Sequence, residues 1–177
     1  MRGKRSAPVV LAAAVGLTTL GLAFGQTPPA APSRPPARPD ATPDFLEALD
    51  TVDAAQLELQ NGRPGAFKAH WSRAEDATLS GGFGGTVEKG WAKIGPRLDW
   101  VAAQFAKGTH THERIVARAS GDLAYVVQVE HIRFRGPGQV RESARDYRVT
   151  MVFRREADGW RIVHRQADSQ MTKEAPK

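Results

Sequence analysis

The chain of 177 residues contains no cysteine. This absence excludes disulfide bonds, thiolate metal sites, a cysteine nucleophile and lipid attachment through an N-terminal cysteine. The sequence also lacks the Gly-x-Ser-x-Gly element of serine hydrolases, and the glycine-rich run 81–85 is not followed by the Lys-Ser or Lys-Thr of a phosphate-binding loop. Packing alone must therefore stabilise the fold, and no familiar nucleophile or nucleotide motif indicates the function.

Excess positive charge lies mostly outside the part of the chain that is expected to fold. The formal net charge is +6 and the pI is about 10.1. Basic residues outnumber acidic ones in 1–25 and in 26–43, so the remainder is close to neutral. Its local basic group consists of Arg154, Arg155, Arg161 and Arg165. A nucleic-acid groove needs a larger clustered excess of charge, so we predict no nucleic-acid partner.

The first 25 residues have the pattern of a secretory signal peptide. Arg2, Lys4 and Arg5 precede an uncharged, mainly apolar run, and small residues precede a possible cleavage point before Gln26. We therefore expect 1–25 to direct export to the periplasm or the medium. The run is nearly long enough to cross a bilayer, so a membrane contact is expected only if the signal is not cleaved.

The next segment, 26–43, is rich in proline and alanine. Such a composition favours extended geometry and cannot bury enough apolar area to fold, so it predicts a linker. The folded domain is predicted at 44–170, and a short C-terminal tail at 171–177.

Within the domain, helical patterns come first and strand patterns follow. Apolar residues at helical spacing, with proline and glycine at the ends, predict a helix from Pro43 to the Asn61-Gly62 stop, a short helix over 64–71 and a third at about 89–107. Strands are predicted at 76–79, 109–120, 123–134, 145–155 and 160–167. Long consecutive strands joined by short turns form an antiparallel meander, and helices followed by such a sheet define an α+β domain.

The last two strands form the clearest hairpin, because Asp158-Gly159 is a strong turn signal. Strict alternation along the final strand places Trp160, Ile162, His164 and Gln166 on one face. It places Arg161, Val163 and Arg165 on the other. In the preceding strand, one face carries Tyr147, Val149, Met151 and Phe153. The other face carries Arg148 and Thr150. Polar residues thus occur among apolar neighbours, which predicts a sheet that curls around a partly polar pocket.

Several short motifs occur together in a characteristic order. They are Ala74-Glu75-Asp76-Ala77-Thr78-Leu79, Gly82-Phe83-Gly84-Gly85, Gly90-Trp91, Arg97-Leu98-Asp99-Trp100, Gly121-Asp122-Leu123-Ala124-Tyr125 and Gly159-Trp160-Arg161-Ile162-Val163-His164-Arg165. Together they span about 44–170 and resemble the SnoaL-like branch of the nuclear-transport-factor-2-like superfamily, which includes ketosteroid isomerases. The resemblance implies a cone-shaped half-barrel, with N-terminal helices packed in a curved, mostly antiparallel sheet. It also implies a pocket at the open end and a homodimer formed through the outer sheet face.

The resemblance does not imply one activity, because this fold hosts isomerases, cyclases, dehydratases and binding domains. His164 is the first catalytic candidate, since an imidazole in a pocket could transfer a proton or orient an anion; it could equally be a buried histidine satisfied by a neighbour. Glu130 could be a general base with a raised pKa or the ion-pair partner of Arg148. Asp168 is a further carboxylate candidate.

The predicted ligand pocket contains a cation and a hydroxyl, Arg148 and Thr150, which would suit a carboxylate or carbonyl ligand. Whether their face is concave depends on the strand register, which a single bulge would change. The other predicted pocket residues are Trp71, Trp91, Trp100, Tyr125 and Gln166. The aromatic ones could instead be core residues.

His110 and His112 share one strand face, but no third ligand has a suitable spacing, so neither a metal nor another cofactor is predicted. The loop 81–85 could form a lip over the pocket, with Phe83 as a plug. Three hypotheses remain open: a protein that binds an unknown small organic molecule, a cofactor-independent isomerase, lyase or hydrolase that uses His164 with a carboxylate, and an interaction module whose pocket is filled by its own aromatic side chains.

Overall fold

The computed structural model describes residues 41–169, 171–173 and 175. Its helices are α1 (Pro43–Leu59), α2 (Gly65–Ala69) and α3 (Trp91–Ala102). Its strands are β1 (Thr78–Ser80), β2 (Glu88–Lys89), β3 (Ala106–Ser120), β4 (Leu123–Arg135), β5 (Ser143–Glu156) and β6 (Gly159–Asp168). The predicted α+β class is confirmed. The predicted signal peptide and most of the predicted linker lie outside the described residues.

The six strands form one sheet in the order β2-β1-β6-β5-β4-β3. Strands β3 to β6 make the predicted antiparallel meander, and a tight turn joins β5 to β6 at Glu156 and Gly159. Gly159 has a φ of +116°, which favours glycine there. The short β1 pairs with β6 in parallel, because the chain reaches that edge from the helices rather than through a hairpin.

Two predicted boundaries were wrong. Helix α3 ends at Ala102, and the edge strand already begins at Ala106, so the helix does not run to position 107. Its start at Trp91 lies close to the predicted start at about 89, and Pro96 lies inside it. Trp71 lies beyond α2, where it forms an isolated parallel bridge to Ile162, so the sheet extends into what the pattern predicted as helix.

The core lies between α1 and the concave face of the sheet. Phe45, on the buried side of α1, packs edge-on against Phe153 and Trp160, with ring centroids 5.2 and 5.3 Å away. The sheet contributes Val126, Val149, Met151, Phe153 and Ile162, all of which are buried. Burial of this apolar surface is the main force that holds α1 in the curved sheet.

A β-bulge at Val163 inverts the second half of β6. Phe153 pairs with Ile162 and Val152 pairs with His164, so Val163 is an extra residue in the ladder. Beyond it, Arg165 lies opposite the buried Met151 and faces the core. The predicted strict alternation was therefore wrong after Ile162.

Among the described residues, no helix is both long and apolar enough to span a membrane.

Candidate functional site

A buried ion pair lies inside the cone, between β4 and β6. Alternation along β4 turns Glu130 inward, and the bulge in β6 turns Arg165 inward to meet it. The Arg165 guanidinium binds both carboxylate oxygens, with Nη1–Oε1 at 3.1 Å and Nη2–Oε2 at 2.8 Å. Glu130 is 0% exposed and Arg165 only 8%. Such a bidentate, dry pair fixes both side chains in one geometry.

Two glutamines complete the shell around the Glu130 carboxylate. The Nε2 of Gln56, on α1, donates to Oε2 at 2.6 Å, and the Nε2 of Gln128 donates to Oε1 at 3.0 Å. Burial alone raises the pKa of Glu130, but Arg165, His110 and Gln128 together outweigh it and hold that pKa below its usual range. Glu130 therefore stays ionised and fully engaged, so the general-base role predicted for it is not supported and its ion-pair partner is Arg165, not Arg148.

His110 lies beside this pair on β3. Its Nε2 is 3.9 Å from the Glu130 Oε2, and its side chain is 3% exposed. That nitrogen has no hydrogen-bond partner among the described residues. Burial lowers the pKa of His110, although Glu130 and Asp53 oppose the shift. At neutral pH the ring is therefore a buried, uncharged imidazole rather than a cation.

The polar network continues toward the edge of the sheet through α1 and β3. Arg114 binds Asp53 with an Nη2–Oδ2 distance of 2.5 Å, and the Nε2 of His112 lies 3.6 Å from the same oxygen. Within 41–169 and the described tail positions, no three histidine, aspartate or glutamate side chains are grouped so that they could hold a metal ion. The two histidines thus lie beside the ion pairs Glu130–Arg165 and Asp53–Arg114, of which the second joins α1 to the sheet.

The titration of His110 gives a first expected result. Its pKa in the folded state lies below the ordinary value of 6.5, so the unfolded state binds more protons between these two values. The stability that this group contributes is therefore present above pH 6.5 and is lost as the pH falls through the folded pKa. Urea denaturation between about pH 7.5 and 5 should show this loss, and His110→Gln should reduce its slope by up to about 1.4 kcal/mol per pH unit. An unchanged slope in the variant would contradict this assignment.

A narrow cavity of about 50 Å³ lies next to the ion pair at the open end of the cone. Most of its wall is apolar and is formed by Leu59, Phe67, Leu79, Phe83, Leu98, Val101, Phe105, Ile132 and Ala167. Its polar lining residues are Gln56, Gln60, Tyr147 and Arg165. Three buried oxygens of this group, Gln56 Oε1, Gln60 Oε1 and the Tyr147 hydroxyl, have no hydrogen-bond partner among the described residues. The space is large enough for only one or two water molecules.

The structure places His164 outside this site. It lies opposite Val152 on the outer sheet face, where its Nδ1 is 2.8 Å from the Thr78 Oγ1. The bulge at Val163 is the reason, because it separates His164 from the face of Ile162. The predicted pairing of His164 with Glu130 therefore does not occur, and the alternative of a histidine satisfied by a neighbour fits the geometry.

The other predicted polar residues also lie on the outer face. Arg148 is exposed and pairs with Asp168, with Nη2 and Oδ1 2.5 Å apart. Thr150 pairs with Gln166 across β5 and β6 on this same face. The residues that alternate with Arg148 and Thr150, such as Val149, point into the core instead.

The predicted pocket aromatics are dispersed. Trp71 is buried in the core against Phe67. The Arg73 guanidinium stacks on the Trp91 ring, with its carbon 3.4 Å from the ring centroid. Tyr125 is 41% exposed on the outer face. Trp100 is 47% exposed, but it contacts Phe83 at the cavity mouth. Trp71 and Trp100 thus lie behind wall residues of the cavity, Phe67 and Phe83, and neither lines it.

Sequence reasoning missed the residues that form the polar wall. Gln56 and Gln60 are four positions apart and continue the buried stripe of Phe45, Leu49 and Val52 along α1. A polar residue that continues a helical apolar stripe signals a buried polar contact, so this pair was detectable. Arg165 was not detectable from the sequence, because only the bulge at Val163 turns its side chain inward.

The curved sheet wrapped around helices defines the class of this protein. It has the nuclear-transport-factor-2-like, cystatin-like fold of several solved structures. A protein of this superfamily from Salmonella enterica is 16% identical, with 75% of this chain and 93% of the other covered at a TM-score of 0.63. A Streptomyces avermitilis protein of the same family, provisionally assigned as a dehydratase, is 19% identical; 74% of this chain and 100% of the other are covered, at a TM-score of 0.63. A Xanthomonas campestris domain provisionally assigned as a calcium/calmodulin-dependent protein kinase II association domain is 18% identical. The match covers 73% of this chain and 87% of the other, at a TM-score of 0.60.

The sequence itself identifies the branch of this superfamily. The sequence model of the SnoaL-like domain matches residues 49–171. The chain therefore belongs to the SnoaL-like domain family, as the motifs predicted. No curated protein matches it significantly. Because the similar structures are less than 25% identical, they establish the fold and not an activity. Export and the homodimer stay predictions.

Proposed function

We propose that this chain is an exported protein that binds a small organic molecule inside the cone. One observation carries the proposal: the cavity beside the buried ion pair combines an apolar wall with three buried oxygens that have no hydrogen-bond partner among the described residues. Buried polar groups are normally paired, and unpaired ones are costly, so a cluster of them at a cavity suggests a partner that is bound in function. Ligand sites commonly have this composition, mostly apolar with a few converging polar atoms.

The polar wall favours binding over acid–base catalysis. The Glu130 carboxylate is saturated by four hydrogen bonds, from Gln56, Gln128 and the two Arg165 nitrogens. Burial raises the pKa of Tyr147, although Arg145 opposes the shift, so its hydroxyl remains a neutral donor. A neutral hydroxyl, glutamine oxygens and a fixed guanidinium recognise and orient a ligand, whereas none of them is a poised proton acceptor.

The test is native mass spectrometry of the full chain purified from an exporting host. We expect a small mass that is retained by the wild type and released on denaturation. Tyr147→Phe should lower its occupancy, since it removes only the hydroxyl from the cavity wall. Tyr125→Phe is the matched control, because Tyr125 lies on the outer face, and its occupancy should equal that of the wild type.

Two results would contradict the proposal. One is a wild-type protein that carries no small mass and gains none from a host extract. The other is equal loss of occupancy in Tyr147→Phe and Tyr125→Phe, since the bound molecule would then not lie in the cavity.

A further inference from the structure

Phe83 separates two spaces at the open end of the cone. On its inner side is the cavity of about 50 Å³. On its outer side is a groove of about 420 Å³, which is lined by the same loop together with Arg145, Ala167, Asp168 and Ser169; the Asp168 carboxylate there is paired with Arg148. An organic molecule larger than a few atoms cannot enter the inner cavity unless the Phe83 ring moves. The loop 81–85 therefore borders both spaces.

The Phe83 ring itself occupies a niche that would suit an aromatic ligand. Its centroid is 5.8 Å from that of Trp100, edge-on at 84°, and 5.5 Å from that of Phe105. The Arg145 guanidinium lies 4.7 Å from the same centroid on a ring face. Two aromatic walls and one cation stabilise a flat, electron-rich ring. Any aromatic ring of similar size could replace that of Phe83 here.

Arg145 is available to an anion. Two arginines of the same sheet on its outer face each have a carboxylate partner, since Arg133 binds Asp146 and Arg148 binds Asp168. In the described part of the chain, Arg145 forms no ion pair. A partly buried guanidinium without a carboxylate partner is a binding group for carboxylate, which it can hold with two parallel hydrogen bonds.

The loop is built so that its tip can move while its base stays fixed. Gly82 packs so closely on Tyr147 that an added Cβ would lie 2.4 Å from the ring, which fixes the base. Gly84 and Gly85 have φ angles of +77° and +97°, values that glycine adopts without strain. One exposed side-chain hydrogen bond, from the Arg97 Nη2 to the Gly84 oxygen at 2.7 Å, holds the tip. Displacement of the Phe83 ring therefore exchanges its contacts with Trp100, Phe105 and Arg145 for those of the ligand ring.

We propose that the ligand is an aryl carboxylate that binds by displacing the Phe83 ring. This inference rests on the proposed function and names the class of molecule that the cavity takes. The aromatic ring of the ligand lies between Trp100 and Phe105, and its carboxylate binds Arg145. The far end of the ring points to the inner cavity, where the buried Gln60 Oε1 has no partner among the described residues.

Titration calorimetry with two probes of the same shape tests this inference. Phenylacetate carries the charge and phenylacetamide does not. We expect wild-type protein to bind phenylacetate at least about tenfold more tightly, because hydrogen bonds to charged groups are the stronger ones. Arg145→Gln should abolish this difference by weakening phenylacetate alone. The matched control Arg154→Gln removes an ion-paired charge from the other end and the opposite face of the same strand, outside this groove, and it should leave both affinities unchanged.

Phe83→Ala tests displacement separately. Removal of the competing ring should tighten phenylacetate binding by about tenfold, since the ligand then no longer has to expel it. Equal affinity for the acid and the amide, or an unchanged preference in Arg145→Gln, would overturn the inference of an aryl carboxylate. Weaker binding to Phe83→Ala would overturn displacement. None of these results would affect the retained mass and its dependence on Tyr147, by which the proposed function is judged.

Discussion

Replacement of Arg165 by methionine should lower the free energy of unfolding by about 3–5 kcal/mol. The variant keeps the length and the apolar stem of the side chain but removes the charge, which leaves the Glu130 carboxylate buried with only Gln56 and Gln128 as donors. An uncompensated buried charge is among the most costly defects a core can carry. Urea denaturation followed by circular dichroism measures the change.

Arg148→Met is the control for this prediction. Arg148 also forms an ion pair with an aspartate, but at 57% and 39% side-chain exposure this pair lies in solvent. Its removal should cost at most about 1 kcal/mol. The double variant Glu130→Gln/Arg165→Met should recover part of the loss, because it contains no buried unpaired charge. If Arg165→Met costs no more than Arg148→Met, the buried pair does not hold the cone together.

Different residues of this interior serve stability and ligand binding. Polar interiors often serve a ligand, yet a buried ion pair is weak evidence for either role by itself. In this chain the ion pair and the cavity share Gln56 and Arg165, which line the cavity and also bind Glu130. The pair thus positions the polar wall, whereas Gln60 and Tyr147 have buried oxygens that remain open to a ligand. Substitutions at Tyr147 are therefore the cleaner probe of binding.

The sequence was sufficient to predict the order and type of most elements. Long strands separated by Asp158-Gly159 and Gly121-Asp122 carry their own turn signals, and the apolar stripe of α1 has a clear helical period. These signals are local, so they can be read along the chain. The motifs then identified the family, which the match over 49–171 confirms.

The candidate site was less predictable because two nonlocal features create it. The bulge at Val163 arises where β6 pairs with β5 on one side and with the parallel β1 on the other, and no residue type in the sequence announces it. Glu130 and Arg165 are 35 positions apart and meet only through sheet pairing. Alternation correctly separated the face of Tyr147 from that of Arg148 and Thr150, but the pocket was predicted on the Arg148 face, and His164 was selected where the structure has Arg165.

Deletion of Thr150 from β5 should be even more damaging than Arg165→Met. β5 has no extra residue and pairs with a strand on each side, so without Thr150 strict alternation would turn either Tyr147 and Val149 or Met151 and Phe153 away from the core. The loss should exceed about 5 kcal/mol, which is comparable to the total stability of a small domain. We therefore expect a chain that is insoluble or lacks a cooperative urea transition.

Deletion of Val163 is the control. Val163 is the extra residue of β6, so its removal leaves Ile162 and Arg165 two positions apart and both still face the core. This deletion should therefore leave a cooperatively folded protein with a smaller loss of stability. Equal damage from the two deletions would mean that shortening any strand is harmful. A cooperatively folded protein after deletion of Thr150 would mean that alternation along β5 does not decide which side chains form the core.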